Sequence, residues 1–80
     1  MNKTKIVDAV QSLLSSSRDR ETSQGILVYE NVLKMLDIAT SEAEVQDTLG
    51  KLNRSLAGIE AHGDLTNDEY ELVRLLRTYE

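Results

Sequence analysis

The sequence contains no cysteine, proline, phenylalanine or tryptophan. Without cysteine there is no disulfide framework, thiolate zinc site or cysteine nucleophile, and the chain suits a reducing compartment such as the cytoplasm. Without proline the strongest helix breaker is missing, and apolar content drawn mainly from Leu, Val, Ile and Ala suits helix packing. Eighty residues lie near the lower limit for one hydrophobic core. We therefore expect a single domain over residues 1–80, and self-association would stabilise so small a core.

Long apolar runs and dense basic surfaces are also missing. Apolar runs such as residues 25–29 are far shorter than the roughly 20 residues of a bilayer span, so we expect neither a transmembrane nor a targeting segment. The net charge is -5, and residues 41–80 carry nine acidic but only four basic groups. Binding to nucleic acid through phosphates needs a dense basic face. We therefore expect no nucleic-acid partner.

Apolar residues that recur every three or four positions predict two helices in the first half of the chain. The first runs from about Thr4 to Ser16, and its apolar face is Ile6, Val7, Val10, Leu13 and Leu14. Residues 15–25 are polar and serine-rich, which predicts a loop, with Thr22 or Ser23 capping the next helix. The second helix ends near Ala39, and its apolar face is Ile26, Tyr29, Val32, Leu33 and Leu36.

The third helix has clear sequence signals at both ends. Ser41 and Glu44 have the spacing of a capping box, and residues 61–63 end in a glycine that can close the helix. Between them the apolar positions repeat as in a heptad seam: Val45, Leu49, Leu52, Leu56 and Ile59. Gly50 and Gly58 lie inside this helix and favour close packing against another helix, or otherwise a groove that admits a partner's backbone.

The fourth helix begins at Asn67, after a second capping box formed by Thr66 and Glu69. Leu65 and Tyr70 have the spacing of a hydrophobic staple. The predicted core face consists of Tyr70, Val73, Leu76 and Tyr79, widened by Leu72 and Leu75. Four helices joined by short connections predict an all-α fold, an antiparallel four-helix bundle with up-down-up-down topology.

Residues that could support catalysis or ligand binding do not form a recognisable motif. His62 is the only histidine, and its position at the end of the third helix suits a cation that interacts with the helix dipole. No nucleophile signature or phosphate-binding glycine loop occurs. Asp64, Thr66 and Asp68 have the spacing of a calcium loop, but the required glycine and final glutamate are missing. We therefore expect no catalytic residue, cofactor or metal, and predict a binding function.

Three passages resemble the immunity proteins of pediocin-like bacteriocins, the enterocin A immunity type. They are MNKTK at the start, VYENVLKMLDIA in the second helix, and LNRSLAGIEAHGDLTNDEYELVRLL across the third and fourth helices. The resemblance implies an antiparallel four-helix bundle in the cytoplasm of the producing cell. It also implies protection by binding the mannose phosphotransferase permease engaged by bacteriocin, with no membrane-spanning segment, although peripheral membrane association fits such a partner.

In that family the C-terminal half is thought to select the bacteriocin, which directs attention to the third and fourth helices. Because the apolar seam is used internally, we expect exposed polar and aromatic residues to bind the partner. The candidate partner-binding residues are Lys51, Arg54, His62, Arg74, Arg77 and Tyr79. The alternative is a small acidic cytosolic regulator or anti-factor that binds a transcription or signalling protein through charge complementarity.

Overall fold

The computed structural model describes residues 2–21, 25–63 and 65–80, and within these ranges the regular structure is entirely helical. The four helices are α1 (Lys3–Asp19), α2 (Ile26–Ile38), α3 (Glu42–Ala61) and α4 (Asn67–Tyr79). The predicted all-α class is confirmed.

The helices form an antiparallel bundle in which α1 packs against α2 and α4, and α3 completes the ring between α2 and α4. At one end of the bundle the Lys3 Nζ donates to the carbonyl oxygen of Ala39 at 3.1 Å, which places the start of α1 beside the end of α2. The Gln46 Nε2 likewise donates to the Tyr79 carbonyl at 2.9 Å, which joins the start of α3 to the end of α4. These contacts agree with the predicted up-down-up-down topology.

One apolar core runs through all four helices. Burying each large aliphatic side chain contributes about 1.5–3 kcal/mol relative to leaving it exposed. The fully buried members with the largest side chains are Tyr29, Ile6, Leu13, Leu36, Leu49, Leu52, Leu56, Leu76, Val10, Val45 and Val73.

Helix α1 extends further than the sequence predicts. The loop was expected from Ser15, yet the helix continues to Asp19. Ser17 is 2% exposed and packs into the bundle, while Arg18 forms an ion pair with Glu30 of α2 at 3.3 Å. These tertiary contacts outweigh the tendency of serine to favour a turn.

The start of α2 depends on a glycine rather than on a side-chain cap. The predicted caps Thr22 and Ser23 lie outside the described residues. The N-cap is Gly25, whose φ of 81° is in the left-handed region. A Cβ at this position would lie 3.0 Å from the Tyr29 ring and 3.1 Å from Ile59, so the site needs glycine for two reasons.

The two predicted capping boxes differ in the structure. The Thr66 hydroxyl accepts from the Glu69 N–H and the Glu69 carboxylate accepts from the Thr66 N–H, which confirms the box at α4. At α3, Ser41 accepts from the Glu44 N–H at 3.2 Å. The Glu44 carboxylate, however, accepts from the hydroxyls of Thr40 and Ser41. Only half of the predicted box at α3 is therefore formed.

Two further predictions about α3 and α4 are wrong. Tyr70 was assigned to the core but is only half-buried, because Glu69 takes the inward position at the start of α4. Gly50 and Gly58 were expected to allow a close helix approach. A Cβ at Gly50 would make only ordinary contacts, the nearest with Arg54 at 3.6 Å, and one at Gly58 would meet nothing within 4 Å.

Candidate binding surface

Helices α1 and α4 are joined at one end by an ion pair between Arg20 and Glu69. The Arg20 Nη2 lies 2.9 Å from the Glu69 Oε1, and the Arg20 Nε lies 3.3 Å from the Oε2. The Glu69 side chain is 0% exposed, whereas that of Arg20 is 34% exposed. Two parallel N–H···O bonds fix the orientation of both side chains. The pair therefore sets the position of α4 against the end of α1.

Glu69 remains charged although it is buried. Burial by itself raises the pKa of a carboxyl group, but hydrogen bonding from the Ser16 hydroxyl and from the Thr66 backbone, together with the Arg20 charge, outweighs it. The pKa of Glu69 therefore lies below its usual value. The same carboxylate completes the cap of α4 and neutralises Arg20.

Tyr29 of α2 is buried beside this ion pair. Burial, and next the negative charge of Glu69, raises the pKa of the Tyr29 hydroxyl, while Arg20 and a hydrogen bond with Ser17 act in the opposite direction. The hydroxyl therefore stays neutral over the physiological range. The ends of α1, α2 and α4 thus meet around a polar cluster, which holds the bundle together at this end.

A groove follows the surface between α1 and α4, and we call it the α1/α4 groove. It consists of three adjoining depressions that are open to solvent. Those of about 730 and 350 Å³ lie between the two helices, and the one of about 550 Å³ is lined by α4 residues alone. The depressions share lining residues, so they form one continuous surface. Its lining residues are Lys5, Asp8, Ala9, Gln11, Ser12, Ser15, Ser16, Asp19, Arg20, Thr66, Asp68, Glu71, Leu72, Arg74, Leu75, Thr78 and Tyr79.

The middle of the α1/α4 groove is apolar. Leu72, Leu75 and Tyr79 line one depression together with Ala9 of α1. Leu75 is 41% exposed, whereas Leu72 and Tyr79 are half-buried and pack against the core. The strip thus presents a small apolar surface to solvent at Leu75, with polar residues around it.

Charged side chains of both signs border this apolar strip: Lys5 and Asp8 on α1, and Asp68, Glu71 and Arg74 on α4. Asp19 lies in the adjoining depression. Glu71 pairs with Arg74 at 3.4 Å. In the described part of the chain, the three aspartates belong to no ion pair. Their charge is therefore available to a positively charged ligand.

The candidate residues on and after α3 are all exposed. Lys51 pairs with Asp47 one turn earlier, at 3.3 Å. The guanidinium group of Arg54 lies 3.6 Å from the position that a Cβ of Gly50 would occupy, and His62 is the C-cap residue of α3. Lys51, Arg54 and His62 are thus spread along the outside of α3 and do not lie on the α1/α4 groove.

The candidate residues on α4 divide between two surfaces. Arg74 and Tyr79 line the α1/α4 groove. Arg77 instead forms an ion pair with Glu60 and faces α3. The six predicted residues therefore do not form one patch, and of the six Tyr79 alone lines a depression together with residues of α1.

Sequence reasoning missed the contribution of α1 to this surface. The C-terminal half alone was expected to carry recognition, and Asp8 and Ser12 were not singled out. The sequence did contain one signal of this surface. Leu72 and Leu75 make the apolar face of α4 wider than contact with a single helix would bury. The exposure of Leu75 is the structural result of that excess.

A second pair of exposed apolar residues lies on α2. Leu27 is 74% exposed and Ile38 is 73% exposed. They are separated by about three helical turns, with Lys34 between them, so each is an isolated apolar residue on a polar surface. Isolated exposed apolar residues are ordinary features of protein surfaces.

Comparisons of the chain with protein-family models, with curated proteins and with solved structures find no match. Over residues 2–21, 25–63 and 65–80, none of the helices has the length and apolarity required to cross a membrane.

Proposed function

We propose that this protein acts by binding another protein, and that it is a cytoplasmic immunity protein of the pediocin-like bacteriocin type. The observation that carries the binding proposal is the α1/α4 groove, whose apolar strip reaches solvent at Leu75 and has Asp8 of α1 and Asp68 of α4 on its two sides. Arg74 and Tyr79, two residues proposed from the sequence, line the same groove.

The immunity proposal is supported by the three sequence passages that resemble this family and by the antiparallel four-helix architecture that the resemblance implies. On this proposal the target is the mannose phosphotransferase permease engaged by bacteriocin, approached from the cytoplasm. The exposed residues of α3 and α4 contribute to recognition together with the groove. Protection requires binding alone and no chemical step.

Expression in a bacteriocin-sensitive strain tests this function. We expect cells carrying the chain to survive a pediocin-like bacteriocin that kills cells carrying the empty vector. Alanine at Arg74, Arg77 and Tyr79 together should remove the protection, provided that circular dichroism shows the variant to be folded. Unchanged protection in a folded triple variant would contradict the role of these residues, and equal killing with wild type and vector would contradict immunity to the bacteriocin tested.

The alternative function is that of a small acidic regulator that binds and blocks a transcription or signalling protein. The net charge of -5 and the carboxylates along the groove favour a basic partner surface. Genomic context distinguishes the two functions, because a neighbouring bacteriocin precursor or exporter supports immunity, and a regulator or prophage neighbourhood supports the alternative. Thermal melting at several protein concentrations would test self-association, since the midpoint of an associating protein rises with concentration.

A further inference from the structure

We infer that the α1/α4 groove is a docking site for a basic amphipathic helix of the partner protein. This inference rests on the proposed function only in taking the partner to be a protein. It assigns the contact to a surface shared by α1 and α4, in place of the α3–α4 hairpin alone. It also specifies the chemistry of the segment that binds there.

The apolar requirement follows from the middle of the groove. Leu72, Leu75 and Tyr79 form a strip along α4, and Ala9 of α1 lies beside them. Such a strip matches the apolar face of a helix, whose residues recur every three or four positions. The exposed residues of α2 offer no comparable strip, because Leu27 and Ile38 are separated by polar positions.

The charge requirement follows from the borders of the groove. Asp8 lies on the α1 side of the apolar strip and Asp68 on its α4 side, and neither belongs to an ion pair within the described ranges. Asp19 adds a third such carboxylate in the adjoining depression, against one lining base outside the ion pairs, Lys5, so the negative charge prevails. A ligand with Lys or Arg flanking its apolar face would place positive charge against both borders. Such complementarity favours association and disfavours acidic competitors.

The shape of the groove favours a helix over an extended strand. Among the residues that the structure describes, its walls are almost entirely side chains of two helices, whose backbone groups already bond within each helix and offer no edge for a strand to pair with. A helix satisfies its own backbone and presents only side chains. Between Asp8 and Asp19 helix α1 rises about 16 Å, which corresponds to about three turns of a docked helix.

Titration of the isotope-labelled protein with a synthetic peptide, followed by NMR, tests the inference. The probe is a capped helical peptide of about 14 residues, built from Leu, Ala and Lys with leucines on one face. One comparison peptide has the same composition in scrambled order, and a second has Glu in place of every Lys. We expect saturable shifts confined to residues such as Ser12, Leu72 and Leu75, and at least about tenfold weaker binding of both comparison peptides.

Protein variants locate the site. Leu75→Ser should weaken peptide binding about tenfold, whereas Leu27→Ser, the matched change at an exposed leucine of α2, should leave it within about twofold. A double variant with Asp8→Asn and Asp68→Asn should bind the peptide more weakly, and its binding should depend less on the salt concentration. The control pair Asp37→Asn with Glu42→Gln removes the same charge elsewhere and should leave binding unchanged.

Three outcomes would overturn the inference. They are shifts centred on α2 or α3, equal binding of the acidic peptide, and equal affinity of the Leu75→Ser and Leu27→Ser variants. The immunity function fails separately, in the survival assay. Peptide binding in the groove without protection would leave the docking site standing and reject the immunity role, whereas protection without peptide binding would reject the docking site alone.

Discussion

Arg20 and Glu69 are separated by 49 positions in the sequence and form a two-bond ion pair that joins the end of α1 to the start of α4. The same glutamate completes the capping box of α4 with Thr66. One buried carboxylate thus determines where α4 begins and how it lies against α1. Because the α1/α4 groove starts at this junction, its geometry depends on the pair.

Neutralising Glu69 should destabilise the fold. Breaking a buried ion pair costs about 3–5 kcal/mol, but Arg20 is partly exposed and solvent screens it, so we expect Glu69→Gln to cost about 2 kcal/mol. Urea unfolding measures this change in the free energy of unfolding. The double variant Glu69→Gln with Arg20→Gln should lose less free energy of unfolding than the two single variants lose in sum.

The neighbouring Glu71 offers the matched control for that experiment. Its side chain is 72% exposed and pairs only with Arg74 on the same helix. Glu71→Gln should therefore change the free energy of unfolding by less than about 0.5 kcal/mol. Equal effects at positions 69 and 71 would show that the buried pair does not stabilise the fold as described.

The lowered pKa of Glu69 predicts a loss of stability in acid. A carboxyl group whose pKa is lower in the folded chain than in the unfolded chain stabilises the fold at pH values above its unfolded pKa, which is 4.5 for Glu69. This contribution is lost as the pH falls through the pKa of the folded chain. The difference in unfolding free energy between wild type and Glu69→Gln should accordingly shrink below about pH 4.5. Urea titrations from neutral pH to pH 3 measure it, and a constant difference would contradict the assignment.

Two glycines should respond oppositely to alanine. Gly25→Ala would place an alanine at a left-handed φ and bring its Cβ against Tyr29 and Ile59. We therefore expect the free energy of unfolding to fall by about 2 kcal/mol or more. Gly58 lies inside α3 with nothing within 4 Å of an added Cβ, so Gly58→Ala should raise the free energy of unfolding by up to about 1 kcal/mol. Thermal melting of both variants checks the signs, and destabilisation at Gly58 would contradict the open space found there.

The two helix caps should differ in strength. Thr66→Ala removes one half of a complete capping box beside buried Glu69, and we expect a cost of about 1–2 kcal/mol. Ser41→Ala removes a hydroxyl that accepts from the Glu44 N–H and donates to the Glu44 carboxylate, both in exposed hydrogen bonds, and should cost about 0.5–1 kcal/mol. The comparison uses the same urea measurement, and a larger loss at Ser41 would reverse the order that the structure predicts.

Much of the fold could be predicted because its signals are local. The capping residues and the apolar repeat fixed α3 and α4 closely, since each depends on neighbours within one or two turns. The end of α1 could not be predicted in this way. Its serines favour a turn by themselves, whereas contacts distant in sequence keep residues 17–19 helical: the burial of Ser17 and the ion pairs with Glu30 and Glu69.

The candidate surface was harder to predict for the same reason. Arg74 and Tyr79 were selected as exposed residues of α4, but the depression that Tyr79 shares with Asp8 and Ala9 of α1 depends on which helices are adjacent in the ring. Glu69 was assigned a capping role only. Its burial could not be read from periodicity, because a charged residue at an inward position becomes favourable only when a partner such as Arg20 reaches it.

The survival of a bacteriocin-sensitive strain, measured as the inhibitory concentration of a pediocin-like bacteriocin, tests the central claim most directly. Cells would express wild type, Leu75→Ser, Leu27→Ser or the empty vector, with protein levels matched by immunoblot. The account predicts protection by wild type and Leu27→Ser and a loss of protection by Leu75→Ser. It would be contradicted if wild type protected no better than the vector, or if both leucine variants protected equally.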